Sequence, residues 1–516
     1  MKLRNEKLTL EIVAVILVFS IFSIVLLGYY STALLGENVN PRFVKGDYEK
    51  LRAEAEKIGN PSASINETAK SVFVLTYHIV SKDEPKDDYE ISYNQFKDNM
   101  FALKRLGFQT VKLEDLYPFL NGEKELPDKS FLITFDDGAK ASFYNTDQIL
   151  EVLNYTAVMF VITGNSFTEN QSAYYLNETE LIAVQKTGRW ELESHTHESH
   201  FKVPIEGSIE YGPALTNKLW ISEENRFETN QEFFTRVSTD LEKAKMLLET
   251  KLNKEVTSFA LPYGDFGDKN NYAEAHSIIE NLTTSMHKMV FYQFPMKDRL
   301  YKGNYAGENQ DSYLVTRFAS DSFRIPDELL ERIEGSRTVE LPYNENYLNY
   351  DRWPRISGQA SFRNESMILT PLEDSIFTYL DGSYLWEDYD FSIRLDNDGA
   401  SSVSLMSRLT PFNDYVSCQY NDSRLSLVTL NEDIHKKLVS VNMPENITLQ
   451  IGTYLSMSVS GSSVKCFVNG YEMINSEVQN MSPNGGVGVK AEKFVDADKN
   501  FIFKDISIVG RESNGI

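Results

Sequence analysis

Seven short runs of strand-type residues, alternating with helical patterns, limit what this chain can fold into more than any other feature. They are VFVLTY (72–77), FLITF (131–135), AVMFVI (157–162), WELES (190–194), TSFAL (257–261), MVFYQF (289–294) and YLVTRFA (313–319). Near-continuous apolar runs of this length read as strands buried on both faces, and parallel neighbours need a crossover helix between them. Helical stripes supply the crossovers: Phe96, Met100, Leu103 and Leu106 lie on one face, and residues 230–253 form a long helical pattern. About seven such units favour a β/α barrel over residues 71–338, complete or incomplete, rather than an open doubly wound sheet.

From residue 339 to 516 the helical stripes vanish, and short alternating segments separated by Gly, Asn and Asp take over. YDFSIRL, SVSLMSR, YVSCQY, SRLSLVTL, LSMSVSG, VKCFVNGYEM, GGVGVKA and FIFKDISIVG make about eight strand candidates, and Asn469-Gly470 marks a hairpin turn. A β-sandwich is expected. Its aromatic residues Tyr379, Tyr384, Trp386 and Tyr389 are read as core rather than as stacking faces for a glycan. The only two cysteines, Cys418 and Cys466, fall in candidate strands; buried free thiols are the expectation, with one bridge as the alternative.

Ahead of these units, Lys2, Arg4 and Lys7 precede an apolar run from Ile12 to Gly28. That length is about the lower limit for spanning a bilayer, and an uncleaved membrane anchor within residues 1–30 is expected, with a cleaved signal peptide as the alternative. The basic flank puts the N-terminus in the cytoplasm and the body outside it. Residues 31–70 read as a stalk. The formal charge of -24 over 516 residues argues against a nucleic-acid partner, because phosphate contacts need clustered Lys and Arg.

The chemistry gathers at strand ends. VFVLTY runs into His78, FLITF into Asp136-Asp137-Gly138, WELES into His195 and TSFAL into Pro262-Tyr263-Gly264. In a β/α barrel the carboxyl ends of all strands open onto one face, so these residues converge. One aspartate and two histidines make a three-ligand cation site with a position left for water. Adjacent aspartates point different ways, so one can ligate while the other accepts a proton. Spacing alone does not choose among His195, His197 and His200: the first two share a strand face, the last two a helix face, and the outer pair meets only across a loop.

Together TFDDG (134–138), SHTHESH (194–200) and FALPYG (259–264) resemble the polysaccharide deacetylases, the NodB-homology or carbohydrate esterase family 4 proteins. The resemblance implies that Asp136 is the general base and that Asp137, His195 and His200 hold a divalent metal, leaving His197 outside the set. Zn²⁺ suits these ligand types, with Co²⁺ or Ni²⁺ as alternatives. It further implies that the backbone N–H of Tyr263 stabilises the oxyanion and that Pro262 and Tyr263 contact substrate. The five-residue step from His195 to His200, and LTYH (75–78) placed before TFDDG, resemble the branch acting on poly-N-acetylglucosamine, where the early histidine, here His78, is the general acid. Ala260 stands where the family has an arginine, so the group that orients Asp136 is either missing or supplied from elsewhere, with Arg317 as a candidate. The family's Asp-Trp motif has no counterpart that can be placed. The implied reaction is metal-dependent de-N-acetylation of an N-acetylhexosamine-containing surface polysaccharide; an O-acetyl esterase or a decayed glycan-binding protein are the alternatives. The C-terminal segment resembles laminin-G-like or concanavalin-like modules.

Overall fold

The computed structural model describes residues 45–59 and 68–511, apart from 170–171, 206–208, 268, 294–302, 308–312, 347–351, 355–357, 372–374, 397–401, 411–412, 422, 432–433, 445–448 and 493–499. The apolar run Ile12–Gly28, and with it the expected membrane span, lies outside the described residues. Among the described residues no helix is long and apolar enough to cross a membrane.

Seven parallel strands form a closed ring: β1 (Ser71–Tyr77), β2 (Ser130–Phe135), β3 (Ala157–Val161), β4 (Trp190–Ser194), β5 (Ser258–Ala260), β6 (Met289–Gln293) and β7 (Leu314–Ala319). Spatial order equals chain order, and β1 pairs with both β2 and β7, so the barrel is complete. The thinnest seam is between β4 and β5, which share only the Phe259–Ser194 pairing. There the buried Glu193 carboxylate substitutes for a strand carbonyl, accepting from the N–H groups of Thr257 (2.8 Å) and Ser258 (2.7 Å) and pairing with Lys254.

The strands alternate as their period of two requires. Val72, Val74, Leu132, Val158, Phe160, Ala260, Met289, Phe291 and Val315 fill the barrel as one cluster. The intervening Phe73, Leu75, Tyr77, Phe131, Ile133 and Phe135 pack outward. Among the described residues the helices of eight residues or more are α1 (Lys45–Ile58), α2 (Tyr93–Arg105), α3 (Leu113–Leu120), α4 (Lys140–Leu153), α5 (Glu178–Lys186), α6 (Asn230–Leu252), α7 (Ala275–Met286) and α8 (Pro326–Ser336). A capping box starts α6: Thr229 Oγ1 accepts from Glu232 N at 3.2 Å, and Glu232 Oε2 accepts from Thr229 N at 2.7 Å. Asn253 in the left-handed region ends it. Within the stretch read as a stalk, α1 buries Leu51 in the barrel's outer core, so this part lies against the barrel.

Residues from Gln359 to Gly510 form two antiparallel sheets face to face, with Tyr343–Asn344 pairing onto the last strand. VKCFVNGYEM divides into Ser463–Val468 and Tyr471–Glu477 around Asn469-Gly470, as the turn signal predicts. Sequence reasoning missed Gln359–Arg363, Ser366–Thr370, Ser375–Tyr379 and Ile434–Asn442. The last of these is an edge strand with mostly exposed side chains, so it carries little apolar alternation. Tyr379, Tyr384, Trp386 and Tyr389 are all buried.

The expectation of free thiols is corrected: Cys418 and Cys466 form a disulfide that joins the two sheets through the sandwich core. Both strands place their cysteine inward, and the sheets meet there. Closing a loop with a sequence separation of 48 removes denatured-state entropy equivalent to about 4 kcal/mol in the chain-entropy model.

Candidate active site

The inward parity of the strands continues past their ends. His78 follows Val72, Val74 and Thr76; Asp136 follows Leu132 and Thr134; Arg317 follows Val315. These side chains therefore arrive above the filled barrel, on the face where all the carboxyl ends open.

Asp136 and Arg317 form a buried bidentate pair. Nη1 of Arg317 donates to Oδ1 of Asp136 at 2.6 Å and Nη2 donates to Oδ2 at 2.9 Å. Arg317 is 0% exposed and Asp136 is 1% exposed. Nη1 also reaches Thr134 Oγ1 at 3.3 Å, and the guanidinium lies 5.4 Å above the Phe160 ring. Burial alone would raise the Asp136 carboxyl; Arg317 foremost, then His195 and His78, more than offset it and hold the group well below the usual carboxylate range. The orienting arginine absent at position 260 is thus supplied by β7, two strands around the ring. His78 Nε2 stands 3.9 Å from Asp136 Oδ2, on the solvent side of the pair.

Beside this pair lie Asp137, His195 and His200, whose ligand atoms all fall within 4.8 Å of one another. Oδ1 of Asp137 is 3.6 Å from His195 Nε2 and 3.4 Å from His200 Nε2. That oxygen is buried and accepts no hydrogen bond, an unmet acceptor facing two imidazole nitrogens. The His195 Nδ1–H donates to the Ala260 carbonyl at 2.8 Å, which leaves the Nε2 lone pair directed at Asp137. Burial pushes the His195 imidazole down to about 4, so it is neutral near pH 7, the form that ligates. An orphaned carboxylate oxygen and two imidazoles fit a divalent cation of the borderline class.

His197, the middle histidine, is not in this cluster. Its Nδ1 is 2.9 Å from Thr163 Oγ1 and its Nε2 3.4 Å from Glu198. The ring of Tyr263 lies 4.7 Å from that of His200, tilted by 30°, and Pro262 is buried at the start of the same turn. Asp137, Thr196 and Tyr263 all have left-handed φ, at 71°, 72° and 60°. For a β-branched residue such as Thr196 that conformation is strained, by roughly 1–3 kcal/mol.

Several contributors escaped the sequence reading. Residues Tyr174 to Leu176 brace the Asp-Asp-Gly turn, with Leu176 N donating to Gly138 O at 2.9 Å. Thr163 and Gly164 follow β3, a fifth strand end that the same rule would have flagged. Asp240, on α6, accepts from two amides of the histidine loop; nothing local marks it, because a lone aspartate in a charged helix reads as a solvated face.

Residues 123–278 match the model of the family described as polysaccharide deacetylase. A poly-β-1,6-N-acetyl-D-glucosamine N-deacetylase of Escherichia coli K12 is 24% identical over 206 residues, covering 37% of this chain and 30% of the relative. One of Staphylococcus aureus is 24% identical over 223 residues, covering 40% of this chain and 70% of the relative. The chain thus spans less than a third of the length of the Escherichia coli protein. Among solved structures, a de-N-acetylase from Aggregatibacter actinomycetemcomitans is 22% identical with a TM-score of 0.40, covering 48% of this chain and 94% of that one. Asp136, Asp137, His195, His200 and Tyr263 all lie within the residues 123–278 that match the polysaccharide deacetylase family model.

Proposed function

We propose that this protein removes acetyl groups from the amines of an N-acetylhexosamine polymer, releasing acetate and leaving free amino sugar. The observation that carries the reading is the buried Asp136–Arg317 pair set beside the Asp137, His195 and His200 cluster. A proton acceptor of fixed orientation adjoins a cation site, which is what hydrolysis of an unactivated amide requires.

The residues divide the work by position. Arg317 takes both Asp136 oxygens, so the carboxylate stays ionised and aimed at one place. A carboxylate held so far down is a weak base, so the water it deprotonates must itself be acidified, which a divalent cation on Asp137, His195 and His200 would supply together with charge opposite the oxyanion. The Tyr263 backbone N–H is assigned to the same oxyanion. His78, across Asp136, is assigned to hand a proton to the departing amine, and its exposed edge suits a group that must reload from solvent. Ala260 alone would favour a decayed site, but Arg317 removes that ground.

We further infer that the body lies outside the cytoplasm. The Cys418–Cys466 disulfide suits an oxidising compartment, and Lys2, Arg4 and Lys7 ahead of Ile12–Gly28 suit an inward-facing anchor. The relatives' names point to poly-β-1,6-N-acetylglucosamine as the first polymer to try. The test is acetate release, with Zn²⁺, Co²⁺ or Ni²⁺ added, from N-acetylglucosamine oligomers and from O-acetylated xylan. Release from the former is expected; release from the xylan alone would move the reading to an O-acetyl esterase.

A further inference from the structure

The loop between the two histidines raises a question that its own residues do not answer. His195 and His200 are five apart, and Thr196 is left-handed, so neither a helix nor a strand satisfies the intervening backbone. Two sets of contacts from outside the loop do so. Asp240 Oδ2 accepts from His197 N at 2.9 Å, and Oδ1 accepts from Glu198 N at 2.7 Å. On the opposite side Thr163 N donates to Thr196 O at 3.1 Å and Gly164 N donates to His197 O at 3.0 Å. Gly164 has no room for a side chain, since a Cβ there would sit 2.3 Å from His197 O. The loop is gripped between a carboxylate that takes its amides and a strand end that gives to its carbonyls.

We propose that Asp240 is a positioning residue for the cation site, setting where His200 stands relative to His195 and Asp137. The inference rests on reading those three as cation ligands. Asp240 touches none of them: it acts through the backbone at 197 and 198, which lies between the histidines. It is 7% exposed, and a carboxylate so placed makes two charge-assisted hydrogen bonds where an uncharged side chain offers fewer acceptors. Outer partners that orient ligands typically change metal affinity by roughly 10- to 100-fold when removed.

The substitution Asp240→Asn keeps the shape but turns one acceptor into a donor facing an amide N–H. On the full-length chain, Zn²⁺ affinity measured by competition with a chromophoric chelator is expected to fall by roughly 10- to 100-fold. Leu248→Ala, on the same helix and fully buried, is expected to lower the metal-free melting temperature and leave Zn²⁺ affinity unchanged, a pattern that a merely structural role for Asp240 would not separate. Gly164→Ala, pressing on the loop from the other side, is expected to weaken Zn²⁺ as Asp240→Asn does, and it decides the matter if Asp240→Asn does not fold. Folded Asp240→Asn or Gly164→Ala with wild-type Zn²⁺ affinity overturns the proposal alone. A wild-type chain that binds no Zn²⁺, Co²⁺ or Ni²⁺ overturns it together with the cation-site reading.

Discussion

Replacing Arg317 by methionine removes the charge and the fork while keeping much of the length, so the loss falls on Asp136. Both partners are essentially inaccessible to solvent, and the pair is held by two bonds of 2.6 and 2.9 Å. Breaking a buried pair by deleting one partner costs about 3–5 kcal/mol, because the survivor is left as an uncompensated charge. Thr134, whose hydroxyl bonds the Leu75 carbonyl, and His78 at 3.9 Å are poor substitutes. Asp136 then either takes up a proton or swings toward solvent, and each outcome removes the oriented acceptor. Loss of a positioned base lowers rates by roughly 10²- to 10⁴-fold. The expected result is a fall of that order in kcat with little change in KM, measured as acetate release at saturating cation. Arg317→Lys should fall between wild type and methionine, since one ammonium cannot serve two oxygens with a planar fork. Folded Arg317→Met with kcat within about 3-fold of wild type would refute the assignment.

Two further outcomes follow from the same geometry. His287 is buried against Phe259, and burial, with Lys245 adding to it, pushes its imidazole down to about 3; between about 6.5 and 3 the unfolded chain therefore binds a proton that the folded chain refuses. Folding stability should drop as pH falls through that window, and His287→Gln should show a slope shallower by one proton in denaturant titrations across it. His200→Ala should abolish Zn²⁺ retention in equilibrium dialysis while His197→Ala, remote from Asp137, retains it; the reverse result would mean the wrong pair of histidines has been assigned.

What the sequence disclosed depended on whether the physics was local. The seven barrel strands were readable because buried parallel strands are apolar on both faces, and all seven formed where those runs lie. The converging strand ends were readable for the same reason: parity carries His78, Asp136 and His195 inward. Arg317 could be named as a candidate, but its pairing with Asp136 required knowing that the ring closes from β7 to β1 to β2. Spacing left the three histidines equivalent. The family resemblance set His197 apart, and in the structure the left-handed turn at Thr196, with Asp240 and Gly164 holding the loop from distant elements, keeps it out of the cluster. The disulfide stood only as the alternative to free thiols, because pairing depends on how two sheets stack, which strand patterns do not encode. The polar edge strand Ile434–Asn442 was missed because it buries little.

Whether the Asp136–Arg317 pair and the neighbouring Asp-His-His cluster together cleave N-acetyl groups is decided by acetate release from N-acetylglucosamine oligomers. Full-length chain supplied with Zn²⁺ should release acetate, and Asp136→Asn, loaded with Zn²⁺ to the same extent, should release almost none. Acetate released equally by both proteins, or by neither with any of the three cations, would contradict the account.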